Sequence, residues 1–560
     1  MKKSVLASSI AAALFGLGAT TAANAALSLP ANNIGDMLLV PYYSAQGDNA
    51  TLLSIVNTDT QAGKAVKVRF RGAANSDDVF DFQVFLSPTD VWTAAIKKGA
   101  DGRATLTTTD TSCTKPAASV INSTAFQTGR LDPTLTGDAL ASGTREGYVE
   151  IISMADISKS DATTNGNNPG YTLPTTAATA TAVSSTTNPL WTAIKHVSGV
   201  APCSGTAWTA LDADVIMPTN AATGSGSAAA LGLLPSTGGL MANWTIINVV
   251  NSAAWSGQAA ALAESTTGDA AINSKKIVTY VSQVATAVPA SKLTITGNSG
   301  LSALTSDPLL QVASDTMSWN IALQALTTIT TAQPVVAAGY YDLPDLSTPD
   351  IGGVTSGATV DAIQTLLLKT NVLGEFMTDA AIAGSTDWVF AMPTRRYSVA
   401  MAYNTISATL DGRRFNKQVA NYRATAADST AVFNQTNTSV VGRLICVSGA
   451  KPVPYSREED TPASSATVVV SPATPTGNTQ YCGEASVLSF NSGGVSGALR
   501  AAVAVTGVDA TYANGWARIN TNSFTGAGTA GSGLPILGGF FGRALNGAQG
   551  YGFYQNYRTN

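Results

Sequence analysis

His196, in the run LWTAIKHVSG, is the only histidine of a 560-residue chain. A serine–histidine relay would have to run through it. The sequence has no G-x-S-x-G elbow to supply the nucleophile, and it also lacks an H-E-x-x-H metal motif, a phosphate-binding G-x-x-x-x-G-K-[ST] loop and a dinucleotide fingerprint. His196 therefore reads as a loop histidine. Carboxylate pairs could still do acid–base work of the glycosidase kind. The candidates are Asp77 with Asp78, Asp342 with Asp345 in YYDLPDLSTPD, and the cluster Arg457, Glu458, Glu459, Asp460. The cluster reads more simply as a solvated turn. Calcium is the one cofactor a secreted sheet protein could recruit, through loop oxygens such as those of NTDT and NSDD. Neither the EF-hand loop nor the G-G-x-G-x-D repeat occurs, so no metal ligands are assigned.

The four cysteines, Cys113, Cys203, Cys446 and Cys482, are well separated and lack the C-x-x-C spacing of a zinc site. In an exported chain they read as two disulfides. Proximity favours Cys113 with Cys203 and Cys446 with Cys482, closing loops of roughly 90 and 36 residues.

The elements that must position these groups are mostly strands. In TLLSIVNTDTQAGKAVKVRF, Val66, Val68 and Phe70 fall on one face of an extended chain while Lys67, Arg69 and Arg71 fall on the other. One face is expected to meet a core and the other water. FDFQVFLS repeats the period, with Asp81 and Gln83 outward, and the acidic position could pair across strands with Lys67 or Arg69. DVWTAAIKK and ATLTTTD read as a hairpin turned at Asp101-Gly102. EGYVEIISM, NWTIINVVN, KKIVTYVSQ, DWVFAMP, RRYSVAMAYNTI, VVGRLICVSG and ASVLSFN read as further strands by period and by β-branched and aromatic content. DADVIMPTN is a weaker strand candidate. The helix candidate is TVDAIQTLLLKTNVLGEFM, residues 359–377, with an imperfect apolar stripe at Val360, Ile363, Leu367 and Val372. The fold class is mainly β: antiparallel β-sandwich domains with long Thr/Ser/Ala/Gly-rich loops and one or two short helices.

Residues 1–25 have the layout of a secretory signal peptide, with two lysines, an apolar run and Ala23-Asn24-Ala25 as cleavage site. Beyond them no apolar run is long enough to span a bilayer as a helix. The expected organisation is an N-terminal β-sandwich over 26–300 with a Thr-rich insertion at 114–235, then a β-rich domain over 301–560 with a short helical insertion. Charged residues make up 12 % of the chain, about half the usual share. With a formal net charge of −4, nucleic acid is not an expected partner. A surface this poor in charge offers little repulsion to self-association.

LLVPYYSAQGDNATLLSIVNTDTQAGKAVKVRFRGAANSDDVFDFQVFLSPTDVW, with NWTIINVVN, TDWVFAMPTRRY and the terminal GLPILGGFFGRALNGAQGYGFYQNYR, resembles a group of exported proteobacterial proteins known only as "cell surface protein", some of which look like surface-layer proteins. The group has no catalytic motif, so the resemblance implies a place rather than a mechanism: the surface or exterior of a Gram-negative cell. The resulting expectation is a non-enzymatic structural subunit of a surface layer or extracellular matrix that assembles with itself as an oligomer or lattice, with cell-envelope polysaccharide as a further partner. The alternatives are a surface binding module or adhesin contacting carbohydrate or other cells, an outer-membrane barrel, and a carboxylate hydrolase.

Overall fold

A computed structural model describes residues 27–159, 187–212, 232–234, 236–264, 280, 283, 363–401, 403, 406, 411–415, 432–458, 478–508, 512–524, 533–547 and 549–559. The signal peptide, Asp342, Asp345, Glu459 and Asp460 lie outside these, as do almost all of DADVIMPTN and all of KKIVTYVSQ except Tyr280 and Gln283.

The chain is mainly β, in antiparallel sheets with short helices. Its first half supplies β1 (Leu27–Ser28), β2 (Met37–Ser44), β3 (Asn49–Asn57), β4 (Ala62–Gly72), β5 (Asp78–Leu86) and β6 (Val91–Lys98). There follow β7 (Ala104–Thr107), β8 (Cys113–Lys115), β9 (Glu146–Ser158), β10 (Leu240–Asn248), β11 (Ala253–Gln258) and β12 (Ala260–Glu264). They form a seven-stranded sheet in the order β1-β12-β2-β9-β4-β5-β8 and a five-stranded sheet in the order β11-β10-β3-β6-β7. The β6–β7 hairpin turns at Gly102, whose φ of 87° suits a residue without Cβ.

The alternation read from β4 and β5 sets the packing. Val66, Val68, Phe70, Phe80, Phe82 and Val84 point into a core closed from the other sheet by Leu53, Ile55, Trp92, Ile96, Trp244 and Trp255. This is a β-sandwich, and no sheet among the described residues closes into a barrel.

The second half adds a five-stranded sheet whose three central strands are Ala485–Ser489, Ser385–Ala391 and Gly539–Asn546. Both of its faces are buried. Val389, Val487 and Phe541 enter the same core as Phe70 and Trp92. Their sequence neighbours Trp388, Leu488 and Phe540 point the other way, into a second core with Phe390, Phe490 and Ile519. The period of two thus sends Phe540 and Phe541 to different cores. The boundary expected near residue 300 falls among residues outside those described, and residues from both sides of it share the first core.

Two expected elements differ. The helix over 359–377 does not run through: residues 363–367 are helical, but Asn371–Met377 is a strand paired with Asn514–Asn520. Val372 lies five positions beyond Leu367, off the helical period. Val372 and Phe376, on either side of Gly374, instead bury one face of a strand. RRYSVAMAYNTI begins as a 3-10 turn at Arg395–Tyr397, and among its described residues Val399–Met401 is the strand. The turn carries two arginines inward, where their partners lie.

Cys113 is bonded to Cys203 and Cys446 to Cys482, with sequence separations of 90 and 36. These are the pairs that proximity favours. The first ties β8, at the sheet edge, to the segment after the short helix Pro189–Ile194. Cys113→Ser should therefore lower stability by about 4 kcal/mol on loop-closure grounds. Differential scanning calorimetry should show a lower Tm, and limited proteolysis should show new cleavage between residues 114 and 202.

Candidate functional site

The face of β4 expected to meet water is buried. Lys67 is 7 % exposed and Arg69 and Arg71 are 0 % exposed. A bare charge at such a depth would cost several kcal/mol, so each needs a counter-charge. The neighbouring strands supply them. Arg69 stands opposite Asp81 on β5 and opposite Glu150 on β9. Lys67 Nζ lies 2.8 Å from the Asp81 carboxylate and donates to Gln283 Oε1 at 2.8 Å. Arg69 Nε lies 3.2 Å from Asp78, and Arg71 Nε donates to Glu150 at 3.1 Å. The pairing of Asp81 with Lys67 and Arg69 is the one cross-strand pattern suggests. The lid over it is not legible there.

Part of that lid comes from the second half of the chain. Arg396 reaches Glu150 at 3.5 Å, and Arg395 pairs with Glu484. The backbone N–H of Glu484 donates to the carbonyl of Ala73 at 2.8 Å. Tyr403 OH donates to Asp77 at 2.7 Å, Asn75 donates to Tyr403 OH at 2.8 Å, and Ile445 N–H donates to Asn75 at 2.9 Å. Arg443 pairs with Asp132. Farther along, the carboxylate of Glu146 accepts from Tyr42 OH and from the N–H groups of Ala502 and Val503 at 2.9 and 2.7 Å. A polar seam therefore joins the halves beside the shared apolar core.

Burial raises the Glu150 carboxyl, but the guanidinium groups of Arg396, Arg71 and Arg69 outweigh it and hold it below its ordinary range. At Asp77 burial prevails over the Tyr403 hydrogen bond and the pull of Arg130, lifting its carboxyl from 3.8 to about 7.

The structure thus brings Asp77 and Asp78 into this seam, where their neighbours are protein groups. General acid–base work requires contact with a substrate proton, and at 4 and 3 % exposure neither side chain has a surface to offer one. Arg457 and Glu458 are exposed at the end of a strand, as a solvated turn would be. His196 sits half-buried in a loop, its Nδ1 3.5 Å from Asp90. In the NTDT loop, Asp59 accepts from the N–H groups of Gln61 and Ala62 and pairs with Lys64 at 3.0 Å, so its oxygens are engaged. Among the described residues no group of three or more His, Cys, Asp or Glu side chains is placed to hold a metal ion. No helix among them is long and apolar enough to cross a membrane.

A further surface feature is a sheet face. On β3, β6 and β10 the inward residues are buried, while Leu52, Ser54, Thr93, Ala95, Asn243 and Thr245 point outward. The register sets Leu52 beside both Thr245 and Ala95, and Ser54 beside both Asn243 and Thr93. They line a shallow, open depression of about 530 Å³, in which Lys97 is the only charged lining residue among the described residues. Leu52 is 41 % exposed.

No family model, no curated protein and no solved structure matches the chain. The geometry alone therefore carries the functional argument.

Two outcomes are expected of the seam. Glu150→Gln removes the counter-charge shared by three arginines and should cost about 3–5 kcal/mol in urea unfolding. For Asp77 the sign is set by proton uptake: the folded carboxyl keeps its proton up to about 7 while the unfolded one releases it near 3.8, so stability falls as pH rises through that window. Asp77→Asn stays neutral, and the wild type should lose about 1.4 kcal/mol per pH unit relative to it across the same window, read from paired denaturation curves.

Proposed function

We propose that the protein is a non-enzymatic structural subunit of the cell surface, exported past the inner membrane, that assembles with copies of itself into a layer or matrix. The observation that carries this reading is the outward face of β3, β6 and β10. It is flat, regular and lined by small hydroxyl, amide and aliphatic side chains. Such a face can be covered by another copy if Lys97, at the end of β6, keeps a path to solvent or meets a counter-charge, and removing Leu52 and its neighbours from water favours contact. A low overall charge supports the same reading, because little long-range repulsion opposes repeated contacts. The buried seam and the two disulfides fit a subunit that must hold its shape under load. Calcium would act by bridging copies, using oxygens other than those already engaged at Asp59.

The purified protein should form sheets, fibres or defined oligomers as concentration rises, seen by sedimentation and negative-stain electron microscopy with and without calcium. Leu52→Arg combined with Thr93→Glu should leave it monomeric while shifting unfolding by no more than about 0.5 kcal/mol, as is usual at exposed sites. A wild type that stays monomeric under all these conditions overturns the reading, as does assembly that the double variant leaves intact.

A further inference from the structure

A different face carries a second site. Glu375, Trp516 and Tyr455 stand directly opposite one another on the three neighbouring strands Asn371–Met377, Asn514–Asn520 and Val453–Tyr455. The alternate residues of the first two strands, Val372, Phe376, Ala517 and Ile519, are buried in the second core. Glu375, Trp516 and Tyr455 therefore emerge together on the outer face. The Tyr455 ring stacks on one side of the Trp516 indole, with centroids 4.2 Å apart and planes within 10°. Trp516 nonetheless stays 38 % exposed.

The other wall is built by the last strand, Gln549–Asn556, and the residues after it. Leu373 and Arg558 exchange backbone hydrogen bonds, Leu373 N–H donating at 2.9 Å and Arg558 N–H at 3.2 Å. This pairing lays Phe553, Gln555 and Arg558 along the far side of Asn371–Met377. Between the walls lies a hollow of about 700 Å³, lined by Glu375, Trp516, Arg457, Phe553, Gln555 and Arg558 among others. Its floor needs a glycine: a Cβ on Gly374 would come within 2.0 Å of the Phe540 ring. From Phe553 the aromatic surface continues to Tyr551, 64 % exposed, with centroids 6.3 Å apart.

The charges at this hollow are open. Glu375, Arg457 and Arg558 are exposed, and no ion pair among the described residues engages any of the three. Among the described lining residues two guanidinium groups stand against one carboxylate. By contrast, the buried Arg69, Arg71 and Arg395 are each paired with a carboxylate inside the protein.

We infer that this hollow binds an acidic saccharide, a chain whose sugar rings carry carboxylates. The flat, electron-rich rings of Trp516 and Phe553 suit the C–H faces of a sugar, which are its weakly positive, apolar side. Glu375 and Gln555 are placed to bond its hydroxyl groups, and Arg457 and Arg558 offer the forked donors that pair with carboxylates. A concave site with aromatic walls and a few convergent polar groups is the usual form of a small-ligand site. A simple organic cation would also seek Trp516 and Glu375, but the two arginines repel it. This site is separate from the sheet face of β3, β6 and β10, and it stands whether or not that face assembles.

The test is calorimetric titration of the full chain, kept dilute, with a galacturonate tetrasaccharide and with cellotetraose as the neutral comparison, tryptophan fluorescence being read in parallel. The tetra-uronate should bind at least about tenfold more tightly than cellotetraose, and this preference should shrink as salt is raised. Trp516→Ala should weaken uronate binding at least about tenfold with Tm unchanged, and Trp516→Phe should recover part of it. Arg457→Gln with Arg558→Gln should remove the preference for the acidic chain while leaving Tm unchanged. Absence of uronate binding at millimolar concentration, equal binding of the two saccharides by the wild type, or full binding by Trp516→Ala would each overturn the inference.

Discussion

The charged face of β4 is the constraint around which the structure is arranged. A strand carrying Lys67, Arg69 and Arg71 on alternate positions can be solvated cheaply on an open sheet. In this protein it lies inside a seven-stranded sheet, between β9 and β5, with both sides covered. Each cation must then be met by a carboxylate in the same layer, since the desolvation of an unpaired ion is not recovered by packing. Asp78 and Asp81 on β5 and Glu150 on β9 meet that need from within the sheet. Arg396 then shares Glu150, and Arg395 with Glu484 extends the layer into the second half of the chain.

This layer explains why the two halves meet where they do. Apolar contact alone is non-directional, and the core shared by Phe70, Trp92, Val389 and Phe541 could tolerate some sliding. Paired charges and the contacts Tyr403 to Asp77 and Ile445 to Asn75 do not tolerate it, because a displaced partner strands a buried polar group. Apolar burial and polar geometry thus divide the work, the first driving the halves together and the second fixing their register. The sheet containing Ser385–Ala391 serves both cores because successive residues of a strand face opposite ways.

Two surfaces of opposite character carry the proposed contacts. The face of β3, β6 and β10 is regular and almost uncharged, suited to repetition. The hollow beside Trp516 is irregular and aromatic, with two arginines and a glutamate in its described lining, the features proposed to select one kind of chain. A surface subunit able both to contact its own copies and to hold an acidic polysaccharide would join a protein layer to a polymer. Apart from Arg457, these groups lie outside the charged clusters that first draw notice in the sequence.

The sequence by itself determined several of the strands and which of their residues share a face. Alternation in AVKVRFRG and FDFQVFLS, the turn at Asp101-Gly102 and the spacing of the cysteines are local signals, and local sterics and loop closure act on neighbours. The link of Asp81 with Lys67 and Arg69 was legible for the same reason, because a hairpin brings adjacent strands into register. What covers a face is a different matter, since the period of two separates the sides without saying what lies beyond either. Only the tertiary structure decided that Lys67, Arg69 and Arg71 face protein, that Asp77 meets Tyr403 across a separation of 326 residues, and that residues 371–377 pair as a strand instead of continuing a helix. Trp516, Tyr455 and Glu375 were likewise invisible as a group, since no periodicity links three strands from distant parts of the chain. Their meeting depends on which strands become neighbours, and that is settled by the free energy of the whole packed assembly of cores and ion pairs, to which no single segment holds the key.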